Sequence, residues 1–151
     1  MDYPFINPKL VSKPWGHELW IADGERTPYA LKRITFNAGH QSSLQVHKFK
    51  FETNFVLSGS GTFQIKSEKI DIDEYLQSEE KNKLEKIIDS LITVSLEPGK
   101  VIDVHPGQVH RVIASTELVF IEASTTELDD VFRLADDSNR PHGKIIKEHN
   151  N

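Results

Sequence analysis

Turn signals cut this chain into short pieces. Asp23-Gly24, Asn37-Ala38-Gly39, Gly59-Ser60-Gly61, Pro98-Gly99 and Pro106-Gly107 separate runs that alternate apolar and polar side chains or are rich in Val, Ile and Phe. In residues 29–36, Leu31, Arg33 and Thr35 share one face while Ala30, Lys32, Ile34 and Phe36 share the other. Many short strands with Gly/Pro turns predict an all-β chain, an antiparallel sandwich or small barrel. Residues 1–14 carry Pro4, Pro8 and Pro14, so they read as an extended arm, of the kind that lies on a neighbouring molecule.

One segment departs from this rhythm. From 71 to 91, Ile72, Tyr75, Leu76, Leu84, Ile87, Ile88 and Leu91 recur at three- and four-residue spacing among charged residues. The spacing predicts one helix, with an interruption placed near Asn82, and Asp71 with Glu74 forms a capping box. Its charges read as a solvated face.

Composition removes whole classes of function. A chain of 151 residues without internal repeats is expected to form one domain, with an arm at 1–14, a helical insertion at 70–91 and a polar tail at 141–151. There is no cysteine, which excludes disulfides and thiolate chemistry, so any metal must be held by nitrogen and oxygen. A net charge of -5 leaves no broad basic face for nucleic acid. With no apolar run of bilayer length and no leader pattern at the start, the chain is expected to be soluble, away from membranes, and cytoplasmic.

Against this background, residues 39–61, GHQSSLQVHKFKFETNFVLSGSG, stand out. Gln45 and His47 lie two apart in a strand and leave the same face; Glu52 sits past a turn, on a strand that returns antiparallel. In the second half Pro106-Gly107 delivers His110 at the start of another strand. Two imidazoles, a carboxylate and an amide oxygen make a four-point site for one divalent ion, with zinc, manganese, iron, cobalt and nickel all compatible.

These residues resemble a known family. Gly39-x5-Gln45-Val46-His47-x4-Glu52-x6-Gly59 is similar to the first cupin motif, with glutamine where many cupins have histidine. Gly99-x5-His105-Pro106-Gly107-x2-His110 is similar to the second, with His105 in place of a proline and Ala114 in place of an asparagine. The resemblance implies a double-stranded β-helix, the cupin jelly-roll barrel, with one helical insertion between its two motifs. KPWG (13–16), LKRITFNAG (31–39), SLQVH (43–47), VLSGSG (56–61) and ELDDVFRLADDSNR (127–140) look like the cupin module of type II phosphomannose isomerases. In many bacteria that module follows a mannose-1-phosphate guanylyltransferase. The glycine-rich nucleotide-binding region is absent, so this chain is not expected to make a nucleotide sugar.

What the resemblance implies is an aldose–ketose isomerase that interconverts mannose 6-phosphate and fructose 6-phosphate through an enediolate, with Gln45, His47, Glu52 and His110 as metal ligands. The expected substrate is a phosphorylated or nucleotide-linked sugar. Arg133 is the catalytic candidate, as phosphate clamp or enediolate partner; Arg140, then Lys13 and Lys32, are further cationic candidates, and Trp15 is placed at the mouth. The base is open among Glu18, His40, His105 and a metal-bound hydroxide, while His142 and His149 fall in the tail. A homodimer is the default assembly. Departures lie close to the site: Lys50-Phe51-Glu52-Thr53-Asn54 stands where the module reads Arg-Ala-Glu-His-Trp, and Ser138-Asn139 where it reads Tyr-Gly. They keep two other readings in view, a non-catalytic carbohydrate-binding or regulatory cupin and an iron-dependent cupin dioxygenase.

Overall fold

A computed structural model describes residues 5–135 and, for the backbone, residues 143–144. In chain order the elements are β1 (Lys9–Lys13), β2 (Gly16–Asp23), β3 (Ala30–Phe36), β4 (Leu44–Val46), β5 (Glu52–Ser58), β6 (Gly61–Ile65), α1 (Ile72–Gln77), α2 (Lys83–Ser90), β7 (Ile92–Leu96), β8 (Val101–Val104), β9 (His110–Ala114), β10 (Leu118–Ser124), β11 (Phe132–Ala135) and β12 (Gly143–Lys144). They form two six-stranded sheets, β1-β2-β3-β10-β5-β8 and β12-β11-β4-β9-β6-β7. Every pairing between these strands is antiparallel.

Period-2 alternation decides what lies between the sheets. Ile34 and Phe36 of β3, Val56 of β5, Phe63 of β6, Val112 of β9 and Phe120 of β10 bury their side chains in one interior cluster. Trp15 joins it by stacking on Phe36, ring centroids 4.1 Å apart. Gly59 closes the β5–β6 turn at φ 89°, and a Cβ there would stand 1.9 Å from the Glu117 carbonyl oxygen. Only glycine fits both demands.

The second sheet is covered on its outer face as well. Leu44 and Val46 of β4, Phe132 and Leu134 of β11, Val109, Ile72 of α1 and Ile87 of α2 form a second buried cluster. Gln45 and Arg133 alternate with these residues and are paired in register, so both face the barrel interior.

The interruption expected near Asn82 is present: the segment is two helices, because Ser78 leaves α1 in extended backbone (ψ 131°) and Asn82 starts α2. The residues between, 79–82, are all polar and offer nothing to bury. The Asp71 cap holds, its Oδ1 accepting from the Glu74 amide at 3.0 Å. Part of the extended arm belongs to the fold: Lys9–Lys13 pairs with β2 as an edge strand of its own sheet. Residues 1–4 and most of the tail, including Arg140, His142 and His149, lie outside the described residues. No helix among the described residues is long and apolar enough to cross a membrane.

Candidate metal centre

Three strands and the turn before one of them bring the predicted ligands together. His47 follows β4, Glu52 opens β5 and His110 opens β9, directly opposite Gln45 in the β4–β9 register. His47, Glu52 and His110 are 1%, 3% and 3% exposed, so water does little to screen one from another. Nε2 of His47 lies 3.3 Å from Glu52 Oε1, and Nε2 of His110 lies 3.2 Å from that same oxygen. Donors at this separation are spaced as neighbouring ligands on an ion bound at roughly 2.1 Å.

Hydrogen bonding sets the tautomers. Nδ1 of His47 faces the Asp130 carbonyl oxygen at 2.6 Å, and Nδ1 of His110 faces the Gln108 carbonyl oxygen at 2.9 Å. A carbonyl only accepts, so each Nδ1 donates its proton, and the neutral form of each ring turns an Nε2 lone pair toward the Glu52 carboxylate. Burial holds the His47 pKa down, against the opposing pull of Glu52, so this ring does not supply the missing proton. Buried His47 Nε2 makes no hydrogen bond. Two lone pairs and an anion converging on one point repel unless a cation stands among them, and the donor set fits a divalent ion.

Gln45 borders the same cavity, with its Oε1 accepting from Ser43 Oγ at 2.8 Å. The cavity, about 60 Å³, is lined by Trp15, Lys32, Gln45, His47, Glu52 and His110 and by residues the motifs did not flag, Lys50, Asn54 and Glu122. Lys50 Nζ lies 3.2 Å from Glu122 and 3.8 Å from Glu52. Burial opposes its charge, yet Glu122, Glu52 and Glu18 outweigh burial and hold the ammonium above its ordinary range. Burial, then the Glu52 charge, pushes the Glu122 carboxyl up to about 8. Glu52 is held well below the usual carboxylate range: burial pulls the other way, but the Lys50 ammonium prevails.

Some candidates fall elsewhere. Lys32 borders the cavity, but its ammonium is 3.4 Å from Glu18 and 4.3 Å from the Trp20 ring centroid, and burial lowers its pKa; its charge is answered inside the protein. Lys13 is not among the lining residues, because β1 is the outermost strand and pairs it with Gly16. Arg133 is buried on β11, beyond β4, and does not border the cavity. Of the candidate bases, Glu18 lines the cavity, accepting from Trp20 Nε1 at 2.9 Å, whereas exposed His40 and His105, which packs on Phe51 at 4.4 Å, do not.

Lys50 and Glu122 escape motif reading for different reasons. Glu122 continues the inward series Leu118, Phe120, Glu122, so period 2 points to it. Lys50 precedes its strand, in a turn whose Lys48, Phe49 and Lys50 amides all donate to the Asp130 carboxylate at 3.1, 2.5 and 2.9 Å. No local pattern marks that contact.

Solved structures share this architecture. The capsular polysaccharide assembling protein CapF from Staphylococcus aureus is 17% identical with a TM-score of 0.62 over 89% of this chain and 33% of CapF. KdgF from Halomonas sp. is 14% identical, TM-score 0.57, over 81% of this chain and 91% of that one. A Klebsiella pneumoniae protein with a double-stranded β-helix domain is 15% identical, TM-score 0.54, over 86% and 85%. The chain thus spans about a third of CapF. No protein-family model and no curated protein matches it. At these identities the likeness establishes the fold alone, a double-stranded β-helix of two antiparallel sheets with few helices.

Proposed function

We propose that this chain is a metal-dependent cupin enzyme, an aldose–ketose isomerase acting on a sugar phosphate of the mannose 6-phosphate and fructose 6-phosphate kind. One observation carries the metal: two Nε2 lone pairs meet the Glu52 carboxylate at 3.2–3.3 Å in a buried cavity. His47, Glu52 and His110, with Gln45 as fourth ligand, would hold a divalent ion, which supplies Lewis-acid stabilisation of negative charge on adjacent substrate oxygens. The Gln-x-His pairing of the first motif supports the isomerase reading over an oxygenase.

The chain's own residues do the rest. Glu122 borders the cavity with its pKa raised to about 8, so a share of it is ionised near neutral pH; that carboxylate can take a proton from one carbon and, now protonated, return it to the next. Compensation of the Glu52 charge weakens the repulsion that raises Glu122, moving its pKa toward neutrality. Lys50, beside both carboxylates, stabilises whichever is ionised. Glu18 is engaged by Trp20 and Lys32, which makes it the weaker candidate base.

The test is elemental analysis of purified protein, then a coupled assay from mannose 6-phosphate to fructose 6-phosphate with the metal found. Turnover that disappears in Glu122→Gln, with metal retained, supports the assignment. Sugar-phosphate binding without turnover supports a carbohydrate-binding cupin instead, a reading favoured by Lys50 and Asn54 standing where the resembled module has Arg and Trp. Oxygen uptake with iron(II) supports an oxygenase.

A further inference from the structure

The cavity has a second polar wall that the metal cluster does not require. Trp20, Lys32, Glu122, Asn54 and Ile102 stand in register across β2, β3, β10, β5 and β8. Residues in register share a face of the sheet, and Lys32, Glu122 and Asn54 are all buried and all border the cavity. The neighbouring row, Ile34, Phe120 and Val56, is apolar, as packing alone would dictate.

Two of the three polar side chains are answered within the protein, Lys32 by Glu18 at 3.4 Å and Glu122 by Lys50 at 3.2 Å. Asn54 is not. It is 3% exposed, and among the described residues its carboxamide makes no hydrogen bond. Buried amides are hydrogen-bonded almost without exception, so a carboxamide left open toward a cavity is matched to a group that arrives from outside.

We infer that Asn54 is a specificity-determining residue, whose carboxamide binds a hydroxyl or carbonyl oxygen of a small hydroxycarbonyl ligand while an adjacent oxygen faces the His47–Glu52–His110 cluster. This rests on the metal reading above. Asn54 and Glu52 are two apart on β5 and leave the same face about 7 Å apart, a gap that a two-carbon unit with its oxygens can bridge. A carboxamide both donates and accepts, as a hydroxyl does, and demands no charge of its partner. The cavity of about 60 Å³ exceeds the roughly 10–15 Å³ that a single water needs, so it has room for a small polar ligand group. Tryptophan, which stands at this position in the resembled module, accepts no hydrogen bond, so the pattern of recognised oxygens differs here.

The experiment compares wild type, Asn54→Leu and Asn54→Ser, each loaded with Mn²⁺. Dihydroxyacetone and fructose 6-phosphate serve as probes, with binding read from Mn²⁺-induced broadening of ligand proton resonances and with metal stoichiometry and metal-free melting temperature measured alongside. Asn54→Leu is expected to keep its manganese, to melt no lower than wild type and to bind both probes at least tenfold more weakly, with Asn54→Ser between. Binding by Asn54→Leu within twofold of wild type overturns the inference, as does loss of metal or a lower melting temperature, which would make Asn54 structural. Should Asn54→Leu not fold, the affinity of Asn54→Ser decides by the same criterion. Wild type that binds dihydroxyacetone but not fructose 6-phosphate overturns the isomerase reading alone, and the Asn54 variants still decide the inference; wild type that binds neither overturns both.

Discussion

His47 and Asp130 are tied together across 83 residues of sequence, the imidazole Nδ1 donating to the Asp130 carbonyl oxygen at 2.6 Å. The same residue's carboxylate gathers the amides of Lys48, Phe49 and Lys50. Asp130 thus fixes the ring orientation of His47 and the turn that aims Lys50 at Glu52 and Glu122. In Asp130→Ala the carboxylate goes and the carbonyl loses its anchor. Metal affinity is expected to fall 10- to 100-fold, the usual effect of removing an outer-shell partner, with the fold retained. Calorimetric titration with Zn²⁺ checks this, and unchanged affinity would show that His47 is oriented without Asp130.

Metal binding itself has a thermal signature. A ligand that binds only the folded state stabilises it by about 2.7 kcal/mol at a hundred times its Kd. Wild type should therefore melt higher with added Mn²⁺ or Zn²⁺, and His47→Ala/His110→Ala should not respond. Full metal occupancy in that double variant would sink the assignment of the centre.

Much of this site is legible in the sequence. Period-2 alternation puts Gln45 and His47 on one face, and Gly-bounded hairpins bring Glu52 and His110 to meet them, so the cluster follows from spacing. Lys50 does not, because its direction is set by an Asp130 contact 80 residues away. The places of Arg133 and Lys13 depend on strand order: side-chain direction follows from alternation, but distance from the cavity depends on β11 lying beyond β4 and β1 lying at an edge. The break between α1 and α2 is legible near Asn82, but its extent is not, because Glu79, Glu80 and Lys81 suit a helix as well as a turn.

The pH response of the metal-free protein follows from Glu122. Its folded pKa, about 8, exceeds the ordinary 4.5, so between those values the folded chain holds a proton that the unfolded chain has lost. Stability is then full below the lower value and falls as pH rises through the window. Glu52 acts with the opposite sign, its contribution present above the ordinary carboxylate range and lost on acidification. In chelator, the melting temperature of wild type should decline between about pH 5 and 8, and Glu122→Gln should decline less. Parallel profiles would mean that Glu122 titrates normally.

Lys50 separates a paired buried charge from a missing one. Lys50→Met leaves the buried Glu52 carboxylate without its cation and is expected to destabilise the metal-free protein by about 3–5 kcal/mol at neutral pH. Adding Glu52→Gln removes the unpaired charge and should restore most of that loss. Urea denaturation of the single and double variants measures the coupling, and strictly additive effects would show that Lys50 and Glu52 do not interact.

The helices are structural backing for the ligand-bearing strand. Ile87 of α2 is 7% exposed and packs in the cluster that holds Leu44 and Val46, whose β4 neighbour Gln45 and following residue His47 face the opposite way. Ile87→Ala deletes part of that contact and should cost about 2–5 kcal/mol, the range for a buried isoleucine truncated to alanine. Exposed Ile88, one residue along the same helix, should cost well under half as much when truncated, because little of it leaves water on folding. Chemical denaturation of both variants decides between packing and helix propensity. The Ile→Ala change raises intrinsic helix propensity equally at both sites, so a loss confined to Ile87 assigns the energy to its seat against β4.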